Sequence, residues 1–166
     1  MNIIKYIKIA DLLTIFNLCC GVLSVFASIR KSFFVSAIFI LAAVLFDFLD
    51  GKVAKKLGQT NAFGRELDSL SDLVSFGVAP AILFYVQSSR SLVVAVVLLF
   101  FVSCGMLRLA RFNLTKLKGF EGVPITVNGI IFPVLQFTSL LTVVWLFVFA
   151  LMGFLMVSGI PIKKVF

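Results

Sequence analysis

The chain has 166 residues, 61% of them hydrophobic and 20 of them phenylalanine, and its mean hydropathy of +1.18 excludes an ordinary water-soluble domain. Its 15 Lys and Arg against 7 Asp and Glu leave a net charge of +8, but these basic residues fall between apolar runs and form no stripe interleaved with aromatics, which excludes nucleic acid as the partner. There is no histidine, so imidazole is excluded as base or metal ligand, and any bound metal must be a hard ion held by oxygen.

In chain order, residues 1–10 (MNIIKYIKIA) alternate apolar and basic residues and are predicted to lie as a short amphipathic segment in the headgroup layer. Lys5 and Lys8 precede an apolar run, as in a signal peptide, but the run from Leu12 to Ile29 is too long and is predicted to be retained. The fold class is all-α: a polytopic membrane protein with six transmembrane helices near 11–29, 33–55, 62–86, 91–114, 123–138 and 140–159. Together they make one membrane domain over 11–160, followed by a cytoplasmic tail at 161–166. Asn17 and Thr14 read as hydrogen-bonding groups between helices, Pro124 and Pro133 as setting or bending the start of the fifth span. Cys19, Cys20 and Cys104 lie in apolar runs without paired spacing and read as packing residues, as do Trp145 and the many phenylalanines where they do not face lipid.

Orientation follows from the basic residues between spans. Lys5, Lys8, Lys52, Lys55, Lys56, Arg65, Arg108, Arg111, Lys116, Lys118, Lys163 and Lys164 fall on one side, and only Arg30, Lys31 and Arg90 on the other. This asymmetry predicts that both termini are cytoplasmic. The connection between spans 2 and 3 is then cytoplasmic as well, and it holds most of the acid in the chain: Asp47, Asp50, Glu66, Asp68 and Asp72.

Spacing decides whether these carboxylates meet. Asp47 with Asp50, and Asp68 with Asp72, are three and four residues apart, so each pair shares a helix face, and an antiparallel hairpin brings the pairs together. Four unpaired carboxylates at membrane depth would cost on the order of 10 kcal/mol, less near the interface. One compensation is a set of salt bridges with Lys52, Lys55, Lys56 and Arg65. That arrangement leaves Gly51 and Gly64 unexplained, since both stand where a side chain would block a ligand's approach to the carboxylates. One or two Mg²⁺ or Mn²⁺ ions account for both, because hard divalent ions neutralise the carboxylates and still attract substrate phosphates. A phosphoryl-transfer site a turn or two below the cytoplasmic surface suits a substrate with a phosphate head and a lipid tail.

The pattern Asp47, two residues, Asp50-Gly51, two, Ala54, nine, Gly64, three, Asp68, three, Asp72 resembles the signature of the CDP-alcohol phosphotransferases. It departs at Lys55, where the family pattern has Arg, which keeps the charge and loses the bidentate fork. The longer context (ELDSLSDLVSFGVAPA, RLARFN at 108–113, FEGVPITVNG at 120–129) looks like the phosphatidylserine synthase branch. The resemblance implies a six-helix fold, usually a homodimer, in which an alcohol displaces CMP from a CDP-lipid. In this branch the alcohol is L-serine. It further implies that Asp47, Asp50, Asp68 and Asp72 hold the metals, that Asp72 is also the general base, and that Gly51, Ala54, Lys55, Asn61 and Gly64 line the CDP moiety. Asp11 to Thr14 resembles the family segment that begins helix 1 and joins that lining. Arg108 and Arg111 share one face at the cytoplasmic end of span 4 and stand as candidates for the serine carboxylate or a lipid phosphate, or alternatively as topology signals. Glycerol 3-phosphate or inositol phosphate is the alternative acceptor, and a small cation transporter the remote alternative function.

Overall fold

The computed structural model describes residues 8–58, 61–114, 120–138, 141–159 and 161–162. Its helices are α1 (Ile9–Ile29), α2 (Phe33–Lys56), α3 (Ala62–Gln87), α4 (Leu92–Leu114), α5 (Asn128–Thr138) and α6 (Thr142–Val157). The first four, of 21, 24, 26 and 23 residues, are long and apolar enough to cross a bilayer. Among the described residues six helices appear where six spans are expected, but α5 and α6 have 11 and 16 residues, about 17 and 24 Å of helix, which is short of a full hydrocarbon crossing. A 3₁₀ turn, Ile125–Val127, extends α5 at its start, directly after Pro124. Pro133 lies inside α5. Among the described residues the strands are confined to a two-residue antiparallel ladder, Phe120–Glu121 with Pro161–Ile162. The expected interfacial segment lies outside the described residues as far as residue 7, and Ile9 and Ala10 already belong to α1.

The first helix is built inside out relative to a soluble protein. Its buried face reads Ala10, Asp11, Thr14, Asn17, Gly21, Ser24, Ala27 and Ser28, whereas Leu12, Phe16, Leu23 and Phe26 are exposed. In lipid the large apolar groups lose nothing by facing outward, and helices gain by close contact of small residues and by hydrogen bonds between them. Ser24 Oγ and Ser28 Oγ each lie 2.8 Å from Ser36 Oγ of α2. The α1–α2 turn closes with Ser32 N–H donating to Ala27 C=O and Lys31 N–H to Ser28 C=O, both at 2.9 Å. Lys31 takes the left-handed conformation, φ 60°, that this helix ending requires.

Near its middle α3 changes character: Leu73–Val78 is a π-helical segment between two α-helical stretches. The cause lies at Pro80, which has no N–H for the carbonyl of Phe76 and whose ring would collide with it in a regular α-helix. The wide turn that relieves the collision begins at the residue after Asp72. Beyond it, α3 to α6 enclose an aromatic core. Phe132 stacks on Phe149 at 4.0 Å, Phe101 meets Phe149 edge-on at 4.9 Å, and Phe84 stacks on Trp145 at 5.1 Å. Trp145 is therefore a packing residue. Cys20 and Cys104 are buried and unbridged, while Cys19 is exposed on the outer face of α1.

Candidate active site

The last turns of α2 carry Asp47 and Asp50, and the first turns of α3 carry Asp68 and Asp72. The hairpin between these helices brings the two pairs together. One carboxylate oxygen from each of Asp47, Asp50 and Asp68 lies within 4.8 Å of the others, and Asp72 follows one turn past Asp68 on the same helix. Asp50 and Asp72 are buried, Asp47 and Asp68 half-buried.

The salt bridges expected as one compensation do not form: among the described residues none of the four carboxylates is in an ion pair. Lys52 instead lays its ammonium over the Phe48 ring, 4.1 Å from the centroid, and Lys55, Lys56 and Arg65 are exposed. Neutral donors from α1 hold two of the carboxylates. Thr14 Oγ1 donates to Asp50 Oδ2 at 2.8 Å and Asn17 Nδ2 to Asp72 Oδ1 at 3.2 Å. Asp68 Oδ1 is buried with no hydrogen-bond partner among the described residues. An orphaned, buried carboxylate oxygen facing two other aspartates is a donor set that fits a hard divalent ion.

The two glycines of the pattern differ. A Cβ on Gly51 would meet nothing within 4 Å. A mid-helix glycine costs about 1 kcal/mol relative to alanine, and no internal contact requires it here, which leaves open ground beside Asp50. Ala54, half-buried, and Lys55, exposed, follow one turn on. A Cβ on Gly64, by contrast, would lie 2.9 Å from Asp11 Oδ1 and 3.2 Å from Asn61 Oδ1, so close approach of those two side chains already demands glycine there. Asn61 caps α3, accepting from Gly64 N–H at 2.6 Å, and Asp11 accepts from Lys8 N–H at 2.8 Å. Both residues at least seat the helices that frame the site.

The two arginines part in the same way. Arg108 is buried, 7% exposed, lies in the field of Asp72, and has its guanidinium 5.5 Å from the Phe112 ring centroid. Arg111 donates to the carbonyls of Val157 and Ser158, both at 3.2 Å, at the end of α6. Asn113 ties α4 to α3 by donating to Glu66 Oε2 at 3.2 Å and Ser69 Oγ at 3.1 Å.

The residue that sequence reasoning left outside the site is Asn17. A readable signal was present: Asp11, Thr14 and Asn17 recur every three residues in an otherwise apolar run and so share one helix face.

Four carboxylates on this spacing, gathered at one end of a membrane bundle, match a known pattern over the whole molecule. The family model for CDP-alcohol phosphatidyltransferase covers residues 7–164. The chain belongs to this family. As a CDP-alcohol phosphatidyltransferase it is a membrane-bound transferase, which removes the cation-transport reading. Among curated proteins it is 39% identical to the CDP-diacylglycerol–serine O-phosphatidyltransferase of Methanocaldococcus jannaschii over 98% of the chain and 77% of that protein. It is 43% identical to the archaetidylserine synthase of Methanothermobacter thermautotrophicus over 78% of the chain and 58% of that protein. With the Bacillus subtilis CDP-diacylglycerol–serine O-phosphatidyltransferase the figures are 40% identity, 76% of the chain and 74% of the relative.

Proposed function

We propose that the chain transfers the phosphatidyl group of a CDP-lipid to the hydroxyl of L-serine, releasing CMP and leaving a serine phospholipid. One observation carries the reaction class: Asp47, Asp50 and Asp68 converge, with Asp72 one turn further along α3, without ion pairs among the described residues and with Asp68 Oδ1 unpartnered there. The acceptor follows from the relatives, each of which is named for serine or archaetidylserine chemistry.

In this reading the serine hydroxyl oxygen forms a bond to the phosphorus that carries the lipid, the bond from that phosphorus to the CMP oxygen breaks, and the hydroxyl proton passes to Asp72. The four aspartates are the seat for one or two Mg²⁺ or Mn²⁺ ions, whose chemistry is to polarise the pyrophosphate and neutralise the departing CMP. Gly51 admits the nucleotide beside Asp50, with Ala54 and Lys55 along the same turns and Asn61, Gly64, Asp11 and Thr14 at the α1–α3 edge. Arg108, a buried guanidinium in the field of Asp72, supplies the partner that a serine carboxylate needs on leaving water. The sequence asymmetry in basic residues supports a cytoplasmic site and termini, and the family resemblance supports a homodimer.

Purified protein incubated with CDP-diacylglycerol or its ether-lipid analogue, Mg²⁺ or Mn²⁺, and L-serine, glycerol 3-phosphate or inositol phosphate in parallel tests the assignment. The expected outcome is CMP release with serine alone. Release driven by a phosphorylated acceptor, with serine inert, overturns the acceptor; none with any alcohol overturns the reaction.

A further inference from the structure

We propose that Asn17 is a positioning residue for Asp72, its amide holding one carboxylate oxygen so that the other is left for the reacting hydroxyl. The inference rests on the reading of Asp72 as the base. Asn17 is fully buried in an apolar helix, where an amide is desolvated at both ends. Its Nδ2 donates to Asp72 Oδ1 at 3.2 Å, while its own Oδ1 is buried without a partner among the described residues. The amide is thus engaged at the end that faces the carboxylate.

The backbone beneath it is pinned from the same helix that carries Asp72. Ser71 Oγ donates to Thr14 C=O and Ser75 Oγ to Asn17 C=O, both at 3.1 Å. One turn further along α1, a Cβ on Gly21 would overlap Ser75 Oγ and lie 2.8 Å from Ser75 Cα, so the two helices touch there. Sliding of α1 against α3 is blocked on either side of the amide. Thr14, on the same face, makes the matching donation to Asp50 at 2.8 Å. Two neutral donors thus take one oxygen each from two carboxylates and add no positive charge to compete with a cation. During transfer the Asn17 amide donates throughout; the serine proton goes to the Asp72 oxygen it does not hold.

The test uses Asn17→Leu, similar in volume and without the donor, with Asn17→Ala beside it should the leucine variant not accumulate in the membrane. Full-length protein is assayed for serine-dependent CMP release, and Mn²⁺ binding is followed by electron paramagnetic resonance without substrate. Turnover at saturating substrates should fall on the order of ten- to a hundred-fold, the worth of a hydrogen bond to a charged group, with KM for the CDP-lipid within about threefold of wild type. Mn²⁺ stoichiometry should be kept. Mn²⁺ affinity should drop on Asn17→Leu in the wild-type background and not in an Asp72→Asn background, because the two residues act as one unit. Wild-type kcat in both variants overturns the proposal. Equal affinity loss in both backgrounds, or loss of all Mn²⁺ binding, also overturns it, because Asn17 then only holds the bundle together. If wild type itself transfers nothing to serine while the coupling to Asp72 persists, the assigned reaction fails and the positioning of the carboxylate stands.

Discussion

Arg108 and Arg111 stand one helical turn apart on α4, yet only the first is buried in the field of Asp72, and the second holds the carbonyls that end α6. Replacing each by alanine should separate binding from stability. Arg108→Ala is expected to raise KM for serine about ten- to a hundred-fold at saturating CDP-lipid, the loss of a charge-assisted contact. Arg111→Ala should leave that KM nearly unchanged and lower the thermal midpoint in detergent, with a cost of about 1 kcal/mol. An unchanged serine dependence in Arg108→Ala would send the carboxylate elsewhere. Asp72→Asn keeps the shape but removes the proton acceptor, so transfer should be abolished while the CDP-lipid still binds. Turnover above a few per cent of wild type would deny Asp72 the role of sole base.

The helices place these groups through small residues. Gly21 and Gly51 both lie inside α-helices, and alanine would be the better helix former at each by about 1 kcal/mol. Their surroundings reverse that at Gly21, where a Cβ would run into Ser75 Oγ, whereas at Gly51 it would meet open space. Gly21→Ala should therefore destabilise by about 1 to 3 kcal/mol through overpacking and depress turnover, since α1 must move off α3 and take Thr14 and Asn17 with it. Gly51→Ala should leave the thermal midpoint unchanged or slightly raised, yet raise KM for the CDP-lipid, because the added methyl occupies ligand space beside Asp50. Comparable behaviour of the two variants in melting and kinetics would contradict this division. The π segment is a further element-scale consequence of one residue: Pro80 widens the helix just past Asp72.

At the scale of the molecule, four carboxylates share one end of an apolar bundle with neutral donors from α1 and no ion pair among the described residues. A divalent ion bound among them would relieve their mutual repulsion, which would link binding to stability. Chelation should abolish turnover and lower the thermal midpoint. Mn²⁺ at 100 times its Kd should restore about 2.7 kcal/mol of stability. Equal midpoints in chelator and in Mn²⁺, measured on the same preparation, would separate the aspartates from metal binding.

Composition alone determined the membrane class, because no soluble fold hides so large an apolar share, and the apolar runs located the helices of the described residues in order. The acidic pattern was equally legible: spacings of three and four residues put each pair on one helix face before any tertiary contact is known. Sequence could not decide what surrounds the carboxylates, since Thr14 and Asn17 lie more than thirty residues from the aspartates they hold, and only packing of α1 on the α2–α3 hairpin brings them there. Nor could it tell two glycines or two arginines of one motif apart. Gly64 is hemmed in by Asp11 and Asn61 while Gly51 is open, and Arg111 is drawn to the end of α6 while Arg108 stays buried. The physical reason is the same in each case: residue type and spacing set which face a group occupies, and the neighbour that face meets is supplied by a helix distant in sequence.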